Sequence, residues 1–393
     1  MMLHDALVEQ SGRTGQPLPA GEFFVSRQIP VRTLVGAGRG QTRIVATKAI
    51  RGGVLRIETG SQAVGSIVGL TLDGGPSAVG IVNNNEPGGL LLVDDVAVEM
   101  KNGSGLVAIK IHVSAGPALQ ATISRCEITG AAIGVRFQGA VSGQIRECQF
   151  ELHSQHAIAL RSTTQAAPNN VHVLHCQAAN PFVGGLGQAF CAFGAAGLPI
   201  TQLQLFGNQF AGTGRPHDDG GTADLVVLQG VVGALLAQNV IAGSGGNGLV
   251  VGHGSSIVGI CGNLVAQSTH HGCHFGTFDD GPTAQLVVRA NTIRESGRDR
   301  ERNPGVDVYS GVYCQNVLQS SFLANRIVEA ADVRGPDCGF RIGKLCRDLS
   351  IVDNRVLFRD VEGVEAVRTF GDAANVFVRQ TTVAKLPDVG GGE

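Results

Sequence analysis

The sequence predicts an all-β solenoid in which short strands stack in parallel on successive coils. Three observations predict it: a recurring hexapeptide, alternation of apolar and polar residues inside each copy, and a composition rich in small residues. The repeat reads apolar-x-x-[Cys/Asn]-x-apolar. It occurs as ISRCEI (123–128), IRECQF (145–150) and VLHCQA (173–178), then as LFGNQF (205–210), LAQNVI (236–241) and ICGNLV (260–265). VRANTI (288–293), FLANRI (322–327) and IVDNRV (351–356) continue it. IVGLTL (67–72), VDDVAV (93–98) and VRQTTV (378–383) fit with Leu70, Val96 and Thr381 in the fourth place. Successive fourth positions lie 22 to 34 residues apart, the period of a solenoid coil. The alternation makes the repeated element a strand.

A second strand follows each first one after a variable loop, as in AIGVRF (132–137), GLVVGHG (248–254), GCHFG (272–276), GVYCQ (311–315) and GFRIGK (339–344). Glycine at its start suits a bend between strands. The fourth positions then account for themselves. Asn208, Asn239, Asn263, Asn291, Asn325 and Asn354 occupy equivalent places on successive coils, roughly 4.8 Å apart. Each amide can bond to the next, which satisfies a buried polar column. Cys126, Cys148 and Cys176 extend that column as small buried residues. Their side chains point the same way, so the geometry disfavours disulfides and suits a reducing compartment. Twelve such positions give about 12 coils.

Composition sets outer bounds. Of 393 residues, 57 are Gly, 43% are apolar, 5% are aromatic and none is Trp, which fits many short strands and tight turns. A formal net charge of −2 gives no electrostatic basis for binding nucleic acid or an anionic membrane. The uncharged stretch 225–252 contains Gln229, Gln238, Asn239 and Asn247 and obeys the repeat, so it reads as coils and not as a membrane span. MMLHDALVEQSG shows no basic segment followed by an apolar run. A cytoplasmic location is therefore expected, with a phage-encoded or non-classically exported protein also open. Nine cysteines without CxxC spacing indicate neither a disulfide framework nor a zinc knuckle.

These repeats resemble the right-handed parallel β-helix proteins of the pectin-lyase-like superfamily. The resemblance covers roughly residues 3 to 385. It implies that LHDALVEQ (3–10) is a capping helix and that LPAGEFFVSRQI (18–29) and LVGAG (34–38) form the first coil. It further implies one β-helix domain over residues 1–385, followed by a flexible tail at 386–393. The superfamily holds polysaccharide lyases, polygalacturonases, uronan epimerases, phage tailspikes and non-enzymatic members, so it specifies fold and not reaction.

Function is then expected on outward columns and long loops. In the second strand, Arg136 is the outward residue between Val135 and Phe137, with Arg161, Val250, His274, Tyr313, Arg341 and Arg368 equivalent on other coils. In HHGCHFGTFDD (270–280), Cys273 and Phe275 point inward while His274 faces out. His274, Tyr313 and Arg341 would sit about 5 Å apart, within reach of one sugar ring. Loops between the first and second strands add His271, His217, Asp218, Asp219 and Arg298. Asp218 and Asp219 are a carboxylate pair of the kind used in acid/base or glycosidase chemistry, and adjacent aspartates before GG are equally turn formers. His270, His271 and His274 carry zinc-binding atoms but show no fixed convergence, so no metal is assigned. VGHGSSIVG (251–259) is similar to the Gly-His-Gly segment of polygalacturonases, and RIGK (341–344) to a basic motif split by Gly343. That similarity implies His253 assisting catalysis and Arg341 with Lys344 gripping a uronate carboxylate.

The expected function is a carbohydrate-active enzyme of lyase, hydrolase or epimerase type. It would act on a glycan or small sugar-like substrate in a groove on the side of the helix. Asp218, Asp219, His271, His274, Tyr313 and Arg341 are the candidate catalytic residues, and His217, His253, Arg298 and Lys344 the candidate substrate-binding ones. No cofactor is indicated, calcium included. The rival reading is a non-catalytic rod or glycan-binding module of the phage or surface-fibre type. Such a rod can form a homotrimer, with outward aliphatics such as Val250 marking the interface.

Overall fold

The computed structural model describes residues 2–386 other than 60–63, 85–86, 102–105, 180, 182–186, 215–222, 278–280, 298–309, 330–337, 360 and 362–363. The chain is an all-β parallel solenoid of about 11 turns with one short N-terminal helix. Twelve repeat positions enclose eleven turns, which accounts for the difference from the count of coils. The chain divides into two compact units, residues 1–209 and 210–393. Of the tail 386–393, only Leu386 is described. Among the described residues no helix is long and apolar enough to cross a membrane.

In the first unit the helix runs Met2–Thr14, four residues past the expected cap. Val8 is fully buried on it, and a Cβ on Gly12 would stand 2.4 Å from Val31 Cγ1. The helix therefore lies directly against the strand Ile29–Val31. A typical coil follows the chain from Leu119–Ser124 through Glu127–Thr129 to Ile133–Gly139. These strands pair in parallel with Val141–Arg146, Gln149–Glu151 and His156–Arg161 of the next coil. The register sets Ile123 against Ile145 and Phe137 against Leu160, so like positions stack.

The second unit repeats this plan. Val231–Ala237, Ser256–Cys261, Thr283–Arg289, Val317–Leu323 and Arg347–Val352 form one parallel ladder. The second-strand ladder comprises Val226–Gln229, Leu249–Gly252, Cys273–Phe275, Val312–Cys314, Cys338–Ile342 and Glu365–Thr369. Its interior is aromatic as well as aliphatic: Phe322 lies 5.8 Å from Phe275 and 5.9 Å from Phe340 between ring centroids.

The bend before each fourth position is left-handed. Asp95, Arg125, Glu147 and His175 in the first unit have φ of 52–55°. Gln238, Ala290, Ala324, Asp353 and Gln380 in the second have φ of 51–56°. Such residues without glycine cost roughly 1–2 kcal/mol each, so the following side chain must hold the turn. It does so in a two-way bond. The Asn239, Asn263, Asn291 and Asn325 backbone N–H groups donate to Oδ1 of Asn263, Asn291, Asn325 and Asn354 at 2.8–3.0 Å. Each of these four acceptors also returns its Nδ2–H to the carbonyl of Leu236, Ile260, Val288 or Phe322 at 2.9 Å. In the first unit, Asn208 braces Cys176 N and Val173 O in the same way. The cysteines make longer versions of these bonds: Cys126, Cys148 and Cys176 thiols reach the carbonyls of Val93, Ile123 and Ile145 at 3.5–3.7 Å, and the Cys126 and Cys148 sulfurs accept from the Val96 and Cys126 N–H groups.

The glycines that open the second strands have a different cause from the expected bend. Gly248, Gly272, Gly311 and Gly339 show no left-handed φ. A Cβ on them would instead come within 2.3–2.5 Å of Val265, Ile293, Ile327 and Val356. They are there because the interior has no room for a side chain.

Three outcomes follow. Asn291→Leu orphans the Asn263 N–H and the Ile260 carbonyl and should destabilise by about 1–3 kcal/mol for each buried group left unpaired. Asn291→Cys should cost less, since a thiol keeps both contacts in weaker form. Urea unfolding midpoints would measure both, and equal losses would refute this ranking. Next, all nine cysteines are free and all but Cys261 are buried. Thiol titration of the unfolded chain without reductant should recover nine, and two stable disulfides would overturn the stacking. Finally, burial holds His153 and His156, 2% and 3% exposed, at about 4. An unfolded histidine titrates near 6.5, so between these values the unfolded chain binds the extra protons. Stability is then complete above about 6.5 and falls as pH drops toward 4, by about 1.4 kcal/mol per pH unit for each group. His153→Leu should remove one group's share of that slope in melts across the window.

Candidate active site

The second-strand ladder of residues 210–393 sets Val250, His274, Tyr313, Arg341 and Arg368 in one register column. Alternation turns them away from the core: Cys273, Phe275, Val312 and Cys314 on either side are 0–1% exposed. His274, Tyr313 and Arg341 are half-buried. Val250 is only 5% exposed, so it offers no surface aliphatic of the kind an interface needs. Arg161 also departs from its expected place. Arg136 pairs with Ala159, and Arg161 pairs with Gln138, two positions further along the strand.

A second polar column stands beside this one. Asp224 Oδ1 accepts from the Asn247 N–H at 2.7 Å and from its Nδ2 at 2.9 Å. Asn247 Oδ1 accepts from the His271 N–H at 3.1 Å, and His271 Nδ1 accepts from the Ser310 N–H at 3.0 Å. Asp, Asn and His thus perform one task on three successive coils, and the imidazole nitrogen stands in for an amide oxygen. Ser310 Oγ donates to Val312 O at 2.9 Å, which completes the turn. Because Nδ1 accepts, the neutral His271 ring carries its proton at Nε2.

These two columns bring four of the expected residues together. The His271 ring stacks on Tyr313 at 4.8 Å and 22°, and His274 lies 4.9 Å from Tyr313. His271 and His274 meet at 5.8 Å. The Arg341 Cζ lies 5.8 Å from the Tyr313 ring and 4.3 Å from that of Phe370. The Tyr313 hydroxyl donates to Gln315 Oε1 at 2.8 Å. Ser310, Gln315 and Phe370 escaped the sequence reading, as did the Asp224–Asn247–His271 series. The signal for part of that series was present, since Asn247, His271 and Ser310 each precede one of the cramped glycines.

Burial governs the electrostatics. It pushes His274 down to about 4. It holds His271 well below the ordinary histidine value, helped by positive charge on His274, His270 and Arg341 and opposed by the bond to Ser310. Burial raises Tyr313, against a lowering by Arg341. At neutral pH the cluster therefore contains two neutral imidazoles, a protonated phenol and a guanidinium. His274 Nε2 is buried without a hydrogen-bond partner among the described residues, and Nδ1 is the nitrogen that remains open to a ligand.

The other candidates lie elsewhere. His253 occupies a left-handed turn at φ 51° just past the strand Leu249–Gly252, and its carbonyl accepts from Gly230 N–H. That turn explains a histidine between two glycines. Lys344 is exposed beyond the end of Cys338–Ile342, and a Cβ on Gly371 would meet its stem at 2.6 Å. His217, Asp218, Asp219 and Arg298 lie outside the described residues. Among the described residues, no three His, Cys, Asp or Glu side chains converge on one point that could hold a metal.

No protein-family model matches the sequence, and no curated protein matches it. Solved structures do. The A-module of the mannuronan C-5 epimerase AlgE6 of Azotobacter vinelandii is 16% identical over 98% of this chain and 95% of that one, with a TM-score of 0.54. Tailspike protein 3 of bacteriophage CBA120 is 11% identical over 98% of this chain and 59% of its own, at 0.56. The catalytic unit of a thermostable alpha-1,3-glucanase from Streptomyces thermodiastaticus is 12% identical over 95% of this chain and 64% of its own, at 0.50. At such identities the likeness is one of fold. The parallel coils, the stacked registers and these three structures agree: the chain is a right-handed parallel β-helix protein with the pectate-lyase-like fold.

Proposed function

We propose that the chain is a carbohydrate-active enzyme that removes the C5 proton of a uronate residue at the His271–His274–Tyr313–Arg341 cluster. The observation that carries this reading is the contact of a neutral His274, a protonated Tyr313 and Arg341 on three adjacent coils. Hydrolysis by the usual route needs two carboxyl groups, and these four side chains include none. Proton abstraction beside a carboxylate needs a base, an acid and a fixed cation, which are the groups present.

In the elimination form of the reaction, His274 Nδ1 takes the C5 proton. The electron pair delocalises onto the carboxylate, where Arg341 neutralises the growing charge. The C4–O4 bond then breaks, and Tyr313 gives its proton to the departing oxygen. Base and acid lie side by side on one sheet face, which suits syn elimination. Return of a proton to C5 in place of bond cleavage would give epimerisation, the reaction named for the Azotobacter vinelandii module of the same fold. His271 positions Tyr313 by stacking. The nine free thiols support assignment to a reducing compartment.

Arg341→Ala and His274→Ala should each lower turnover on uronate polymers at least about a hundredfold with little change in melting temperature. Absorbance of unsaturated uronate, and NMR of C5 configuration, separate elimination from epimerisation. With His274 as base, kcat/KM should rise as pH increases through about 4, and that limb should vanish in His274→Gln. Glycan binding without turnover under every condition would assign the chain to the rod or binding-module class instead.

A further inference from the structure

The second-strand ladder of residues 1–209 carries a different cluster. Lys110, on Val107–Val113, pairs with Arg136, on Ile133–Gly139. Beyond Arg136 the same column continues with two small residues, Ala159 and Cys191. Arg161 stands at the end of His156–Arg161, yet its Nη2 lies 3.5 Å from His156 Nε2 at the other end of that strand. The guanidinium therefore folds back across Ala159, and its Cζ lies 5.3 Å from the Phe193 ring. Ala159 and Cys191 are fully buried although they share the outward column, because these long side chains cover them.

Lys110, Arg136 and Arg161 form no ion pair with any described carboxylate, and the contact with His156 is their one polar side-chain contact among the described residues. Burial lowers Lys110 and Arg136, and each is lowered further by a neighbouring positive charge, Arg136 for Lys110 and Arg161 for Arg136. Nε of Arg136 and Nε of Arg161 are buried without a hydrogen-bond partner among the described residues. Three like charges brought together and partly desolvated destabilise a fold unless something offsets them. A guanidinium presents its donors in the geometry an oxyanion accepts.

We propose that this cluster is an oxyanion-binding site, in which a carboxylate or a phosphate or sulfate ester sits between the Arg136 and Arg161 guanidiniums with Lys110 at the rim. Phe193 would flank the ligand with an apolar face, as a sugar ring requires. The site uses only residues of 1–209 and stands independently of the proton-abstraction reading.

Calorimetry on the full chain carrying Arg341→Ala, so that uronate binding at the other cluster is suppressed, tests it. Sodium glucuronate, sodium phosphate and sodium sulfate are the probes, with glucose as the neutral control. At least one anion should bind where glucose does not, and its Kd should weaken at least about tenfold in Arg136→Gln and in Arg161→Gln. Glucuronate binding alone identifies an acidic-sugar carboxylate as the source. Phosphate or sulfate binding alone identifies an ester or free anion. Because the cations repel one another, both variants should melt no lower than their parent in anion-free buffer. Lys110→Gln, a rim change, supplies a third variant with a smaller expected loss of affinity. The proposal is overturned if no anion binds, if binding is unchanged in all three variants, or if the arginine variants melt lower without ligand.

Discussion

The left-handed residue before each fourth position is the constraint on which the coil depends. It turns the chain between two strand ladders in a single step, and it removes the following N–H from the ordinary parallel ladder. A short side chain that both accepts and donates satisfies the groups left behind. Asn does both, which is why Asn263, Asn291, Asn325 and Asn354 form an unbroken series of N–H···Oδ1 and Nδ2–H···O bonds. Cys supplies the same two contacts through a softer atom at longer range, with thiol-to-carbonyl distances of 3.5–3.7 Å.

The same solution reappears beside the His271–His274–Tyr313–Arg341 cluster with different residues. Asp224, Asn247 and His271 each accept the backbone N–H of the following coil. Placing a histidine there has a cost and a use. Its Nδ1 is fixed as an acceptor, so His271 is confined to one tautomer and one orientation, and its ring becomes a platform for Tyr313. A structural column thus sets the position of a chemical one.

Much of this was legible in the sequence, for a physical reason. A period of about one coil combined with strict alternation determines which residues stack and which face out, so the Asn column and the His274–Tyr313–Arg341 column could be read directly. Loops of unequal length defeat the same reading where no anchor is near. Arg161 aligns with Arg136 in the sequence, whereas the register sets it against Gln138, two positions further along. Gly272 and Gly311 were visible, but their cause was not, because steric contact with Ile293 and Ile327 depends on neighbouring coils. Phe370 and Gln315 have no repeat signature at all.

The two basic clusters show how one ladder can treat a cation in opposite ways. Arg341 lies against the faces of Tyr313 and Phe370, contacts worth roughly 0.5–2 kcal/mol each. Such contacts engage the guanidinium face, while its donors lie in the plane at its edge. Among the described residues Arg136 has no such platform, and in its place are a like charge on either side and a floor of Ala159 and Cys191. In the proposed roles, aromatic support would suit Arg341 to a charge that develops during a reaction, and mutual repulsion would suit Arg136 and Arg161 to a charge already present on a ligand.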